Sequence, residues 1–219
     1  MRILHVVATP RQERSNTLRV ARAFLHRLAQ HHPDLSVEEL NLFRADLPAL
    51  AGDNIDTKYT LMAGQPVDPG HEASWRQIEA LIAQFLAADA YVVSVPMWNF
   101  GIPYALKYYI DCVVQPGYVF RYDDAGMPIP LVLGRKMVCV AGRGGDYSAG
   151  SPLRQFDFQE PYLRSIFGFI GITDLEFVHV QPTDISSLRD AAMATAIERA
   201  RSLADSPQWT PQPVGVAVG

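Results

Sequence analysis

Glycine is missing from the first 51 residues of this 219-residue chain. That absence excludes the dinucleotide fingerprint and the phosphate-binding P-loop from the first strand–loop–helix, since both use glycines to bring backbone against a pyrophosphate. Cysteine is scarce too: Cys112 and Cys139 are the only two, both in apolar surroundings, which reads as buried thiols rather than a disulfide. No stretch approaches the ~18 consecutive apolar residues of a membrane span. The apolar run Ile3–Ala8 is too short for a secretion signal, so a cytoplasmic protein without a membrane partner is expected. Net charge is −4 and no Lys/Arg run exceeds two residues, which argues against a nucleic-acid partner. The six histidines form no ligand spacing with acidic residues, so no metal is expected. No Gly-x-Ser-x-Gly elbow supports a hydrolase.

What is present is ordinary globular composition, 48% hydrophobic and 19% charged, sufficient for one domain over residues 1–205. Short β-rich runs at 2–8, 36–42, 90–95, 136–141 and 173–180 alternate with amphipathic stretches. Leu18, Ala21, Leu25 and Leu28 share one helical face, as do Trp75, Ile78, Ile82 and Phe85, and again Leu106, Ile110 and Val113. Helix is also expected over most of 153–169 and over 187–203. Two excursions interrupt the pattern: 43–70, aperiodic with room for some helix, and 118–130, a hairpin-like insertion turning at Asp123-Asp124-Ala125-Gly126. The tail 206–219 has three prolines and no period and is expected to be unstructured. Alternating βαβ units predict a doubly wound, five-stranded parallel sheet in a three-layer α/β/α sandwich. Its ligand belongs beyond the carboxyl ends of the strands, at the topological switch point.

Three loops occupy that position. After the first strand, Thr9, Ser15 and Thr17 supply hydroxyls, Arg14 a guanidinium, and Asn16 and Thr17 open N–H groups at a helix N-terminus, a set suited to one terminal phosphate. Ser15 reads equally well as a plain helix cap, with Arg11 and Arg14 solvated. After the third parallel strand, Pro96-Met97-Trp98-Asn99-Phe100-Gly101-Ile102-Pro103 forms a stiff loop whose amides and apolar side chains suit a flat heterocycle; the alternative is that Trp98 and Phe100 are core residues. After the fourth, Gly142-Arg143-Gly144-Gly145 permits close backbone approach and adds a positive charge.

These segments, together with Phe120-Arg-Tyr122 and Phe167-Gly-Phe-Ile-Gly-Ile172, closely resemble the FMN-dependent NADH-azoreductases, flavodoxin-like NAD(P)H:quinone oxidoreductases. The resemblance spans the first strand to the last helix. It implies a homodimer with FMN near the dimer interface and a two-step, ping-pong reaction in which NADH or NADPH is replaced by a quinone, azo or nitroaromatic acceptor. It further implies that Thr9, Arg14, Ser15, Asn16 and Thr17 hold the phosphate and that Pro96, Met97, Trp98, Asn99 and Phe100 line the isoalloxazine. Arg143, Gly144 and Gly145 would border the pyrimidine side, with Tyr122 and Phe169 flanking the substrate face. The chain departs from the family at Thr9, often Ser, at Trp98, often Tyr, and at Asp146-Tyr147, often an apolar residue and His. The competing class is a flavodoxin-type electron carrier or flavin-binding regulator. Carriers favour a strongly acidic steering face, which −4 over 219 residues does not supply.

Overall fold

The computed structural model describes residues 1–209. Five parallel strands form the central sheet: β1 (Arg2–Val7), β2 (Ser36–Asn41), β3 (Ala90–Pro96), β6 (Lys136–Gly142) and β7 (Asp174–Val180). A separate antiparallel pair, β4 (Phe120–Tyr122) and β5 (Pro128–Pro130), is the expected hairpin. The helices are α1 (Asn16–His31), α2 (Asp53–Met62), α3 (Glu72–Leu86), α4 (Tyr104–Val113), α5 (Gln159–Ile170) and α6 (Ser186–Ala204). The sheet order is β2-β1-β3-β6-β7. The chain moves outward from β1 to β2 and then returns across β1 to β3, so the winding reverses between β1 and β3, where the loops after those strands part and leave a crevice.

Continuous apolar runs place β3 and β6 in the middle, where both faces are covered. On one face Val20, Ala21, Phe24 and Leu28 of α1 and Met193, Ala196 and Ala200 of α6 pack on Ile3, Val92, Val138 and Val178. On the other, Ile78, Ile82 and Phe85 of α3, Leu106 and Ile110 of α4, and Leu163 and Phe167 of α5 pack on Leu4, Tyr91, Val93 and Cys139. No helix among the described residues is long and apolar enough to cross a membrane.

Three boundaries differ from expectation, each for a local reason. The excursion 43–70 contains a full helix, α2, whose only fully buried residues are the polar Asn54 and Thr57, so no apolar stripe announces it. Helix α5 starts at Gln159 rather than near Leu153, because Asp157 Oδ1 accepts from Gln159 N at 3.1 Å and Glu160 N at 3.2 Å and so fixes the first turn. The first residues of the tail are ordered: Trp209 is buried edge-on against Phe24, with ring centroids 5.2 Å apart, and its carbonyl lies 2.6 Å from His32 Nε2. The remainder of the tail, 210–219, lies outside the described residues.

Candidate active site

Strands β1, β3 and β6 deliver their following loops to one crevice of about 210 Å3, lined among others by Thr9, Arg11, Ser15, Asn16, Thr17, Pro96, Met97, Trp98 and Gly144. Thr9, Ser15 and Thr17 line it while buried to within a few per cent, and Thr9 Oγ1 accepts from Arg11 N at 3.3 Å. Ser15 Oγ accepts from Leu18 N at 3.3 Å and lies 3.0 Å from Thr17 Oγ1. The Arg19 amide reaches the Ser15 carbonyl at 3.1 Å. The Asn16 and Thr17 amides engage no partner among the described residues, and point where the helix dipole favours an anion. The cap and anion readings of Ser15 thus coexist. Arg14 is solvent-exposed and does not line the crevice, whereas Arg11 does; the short 3-10 turn Gln12–Arg14, entered through Gln12 at φ 51°, swaps the two guanidiniums.

Met97 N donates to Gly142 O at 2.6 Å, closing the gap between the β3 and β6 loops. Trp98 and Gly101 then exchange two backbone hydrogen bonds of 3.0 Å, with Asn99 at φ 47° and Phe100 at φ 70° between them. Positive φ at both central residues makes this a two-residue turn of the kind that asparagine and glycine favour. Phenylalanine there is strained, by about 1–3 kcal/mol. Phe158 N holds the strained residue by donating to Phe100 O at 3.0 Å. Trp98 lines the crevice and leans on Phe43 and Tyr104, at 5.8 and 6.2 Å between ring centroids. Asn99 and Phe100 face outward, Phe100 against Phe156 at 5.3 Å.

Glycines 142 and 144 serve packing as well as access. A Cβ on Gly142 would stand 2.6 Å from Thr17 Cγ2, and one on Gly144 2.1 Å from Asp184 Oδ2. Gly145 lies under Leu153 and outside the crevice lining, and its amide, like that of Gly144, engages no partner among the described residues. The Arg143 guanidinium turns inward to Asp157 and Glu160, its side chain wholly buried. Thr183 and Asp184, which follow β7, close the crevice edge; they carry no motif that would single them out in the sequence.

Tyr122 and Phe169 are brought together elsewhere, through Phe120, whose ring is 5.5 Å from Tyr122 and 4.7 Å from Phe169. They line an aromatic depression of about 360 Å3 with Lys58, Tyr59 and Met62 of α2. None of the described residues lines both this depression and the crevice.

A family model described as the flavodoxin-like fold matches residues 1–204. The chain is 42% identical over 204 residues to the FMN-dependent NADH:quinone oxidoreductase of Nitratidesulfovibrio vulgaris, covering 92% of this chain and 97% of that protein. The chain belongs to the flavodoxin-like family of azoreductases and quinone reductases. Within it, FMN-dependent NADH:quinone oxidoreductase 3 of Pseudomonas fluorescens is 36% identical, over 93% of this chain and 95% of that one. The crystal structure of an azoreductase from Bacillus anthracis superposes with a TM-score of 0.83 at 28% identity, covering 93% of this chain and 98% of that one. A B. anthracis FMN-dependent NADH-azoreductase solved in complex with FMN gives 0.79 at 25% identity, covering 93% and 99%.

Proposed function

We propose that this family member is an FMN-dependent oxidoreductase that takes two electrons from NAD(P)H and delivers them to quinones or azo compounds by a ping-pong cycle. The observation that carries the reading is the crevice at the β1/β3 switch point. It has a hydroxyl- and amide-rich end at Thr9, Ser15, Asn16 and Thr17, beside an apolar end at Pro96, Met97 and Trp98. Those two ends fit a terminal phosphate and a flat ring. The Gly144 amide, which engages no partner among the described residues, adds a donor suited to a carbonyl oxygen of the ring's polar edge.

FMN, when bound, supplies the electron chemistry. The chain supplies placement: Ser15, Thr17 and the first amides of α1 hold the phosphate, with Arg11 adding a countercharge at the rim. Pro96, Met97 and Trp98 exclude water from one side of the ring. No side chain need act as acid or base at the reacting carbon, which fits a lining that, among the described residues, holds no titratable side chain other than Arg11 and Asp184.

Three observations favour a homodimer. On a single chain the crevice encloses about 210 Å3, below the ~300–1,000 Å3 usual for a cofactor site. The aromatic depression holding Tyr122 and Phe169 stands apart from it, so a second copy is needed to bring such a wall over the ring. Around the crevice, Phe100, Tyr104, Phe156 and Phe158 are 40–71% exposed, an apolar rim suited to burial against that copy. A cytoplasmic location is consistent with two unpaired, buried thiols.

Acid release of the pigment from purified protein, followed by chromatography, tests the cofactor assignment. FMN at one per chain is expected. Recovery of FAD, or of no flavin after reconstitution with FMN, would overturn it.

A further inference from the structure

Arg143 leaves the carboxyl end of β6 beside the crevice, yet its guanidinium is sealed from solvent and from the crevice alike. Nη2 lies 2.9 Å from Asp157 Oδ2 and 3.6 Å from Glu160 Oε2, ion pairs without hydrogen-bond geometry, and Arg154 Nη1 donates to the same Asp157 oxygen at 3.1 Å. Nε donates to Gln159 Oε1 at 3.2 Å and Nη1 to Gln181 Oε1 at 3.4 Å. A buried guanidinium presents its donors in a fixed fork, and here Nε and Nη1 orient the two glutamine side chains. These partners in turn hold the loops that form the site. Gln159 Nε2 donates to Val95 O at 3.3 Å, at the end of β3. Asp157 Oδ1 caps the first turn of α5, and the adjacent Phe158 N holds Phe100 O, inside the turn with two positive φ values. The Arg143 carbonyl accepts from Thr183 N and Thr183 Oγ1, both at 3.0 Å, which fixes the crevice-edge loop after β7.

We infer that Arg143 is a positioning residue: through Asp157 and Phe158 it holds the strained 98–101 turn and the glycine loop in their ligand-ready arrangement, without touching the cofactor. A strained turn persists only where its surroundings over-determine it. Among the described residues Phe100 O has one backbone tie outside its turn, to Phe158 N, and that tie belongs to the helix start capped by Asp157, whose other oxygen pairs with both Arg143 and Arg154. Ligand affinity is then set partly by a charge pair that the ligand never meets.

The affinity arm of the test rests on the flavin reading above; the exchange arm does not. Three variants are compared with the parent: Arg143→Lys, which keeps the charge but loses the fork; Asp157→Asn, which keeps the cap oxygen but loses the charge; and Phe158→Pro, which removes the amide that donates to Phe100 O and to Phe156 O and leaves both members of the buried pair in place. Phe158 is 61% exposed, so the last variant leaves the buried pair in place, and far-UV circular dichroism checks that each variant folds. In ligand-free protein, amide hydrogen exchange at Trp98 and Gly101 should quicken about ten-fold in each. FMN should bind about ten-fold more weakly, equally in its oxidised and reduced states, so that the bound flavin's reduction potential does not move. The double variant Arg143→Lys/Asp157→Asn should be no weaker than its worse parent. Unchanged exchange at the turn in Phe158→Pro and Arg143→Lys would overturn the inference. A potential that shifts in Arg143→Lys but not in Asp157→Asn would overturn it too, by making Arg143 a direct contact. If the parent binds no FMN, the flavin reading falls and the exchange result alone decides the positioning role.

Discussion

Ser15 Oγ sits between two tasks, 3.3 Å from the Leu18 amide and 3.0 Å from the Thr17 hydroxyl. The first contact caps α1, and the second pairs two buried hydroxyls of residues that line the crevice. Replacing Ser15 with Ala should therefore cost about 1 kcal/mol of unfolding free energy through the lost cap. It should also weaken FMN binding by about 1.5–3 kcal/mol through the lost bond to a charged phosphate, roughly ten-fold or more. Denaturant melts of the apoprotein and flavin titrations separate the two effects. Arg11→Ala should loosen FMN more than Arg14→Ala, because only Arg11 lines the crevice.

Gly142→Ala should push the new methyl against Thr17 Cγ2, which would then stand only 2.6 Å away. Thr17 is buried in the first turn of α1 and has little room to yield, so a cost of about 1–3 kcal/mol is expected, together with reduced flavin occupancy. Thr17→Ser removes that methyl and keeps the hydroxyl. The double variant Gly142→Ala/Thr17→Ser should recover most of both losses; recovery of neither would mean that the Thr17 methyl is not what the new methyl strikes.

How far these features are legible in the sequence depends on how local their causes are. The five parallel strands, the helices facing them and the hairpin at Asp123–Gly126 follow from period and turn chemistry, which act over a few residues. Helix α2 is hidden because it buries Asn54 and Thr57 rather than an apolar stripe. The hydroxyls at the start of α1 are legible because one cap defines their geometry. Arg143 is not: a glycine-flanked arginine after a strand looks ligand-directed, and only the tertiary fold brings Asp157 and Glu160 to it. The exchange of Arg14 for Arg11 at the crevice turns on a single left-handed residue, Gln12, which no composition rule anticipates. Trp209 is ordered by Phe24 and His32, more than 170 residues away.

His5 makes folding stability depend on pH. Its Nε2 lies 2.8 Å from Ser94 Oγ and its Nδ1 3.8 Å from Glu39 Oε2. Burial, with the Arg22 charge nearby, pushes its pKa down from 6.5 to about 4. Between those values the unfolded chain binds a proton that the folded chain does not. The contribution is therefore complete above about pH 6.5 and is lost as pH falls through about 4, amounting to roughly 3 kcal/mol. Denaturant midpoints at several pH values should show this slope in the parent and a flatter one in His5→Asn. An unaltered slope would place the proton uptake on other groups.

Tyr122 and Phe169 lie outside the crevice of their own chain, so their effect should be on acceptor turnover and not on flavin occupancy. Tyr122→Ala should raise KM or lower kcat for quinone and for azo dye several-fold while FMN content stays at one per chain. Initial rates against NADH at several quinone concentrations should give parallel lines if, as proposed, one slot serves both substrates in turn; intersecting lines would mean that both bind together.

The central claim, that the β1/β3 crevice holds an FMN through which NAD(P)H reduces a small acceptor, is tested most directly by anaerobic rapid mixing of the FMN-loaded protein with NADH, and separately with NADPH. The visible flavin band should bleach within seconds with at least one nucleotide and return when a quinone is added. A flavin that stays oxidised with both nucleotides would contradict the enzyme reading and leave an electron carrier or flavin-binding regulator in its place.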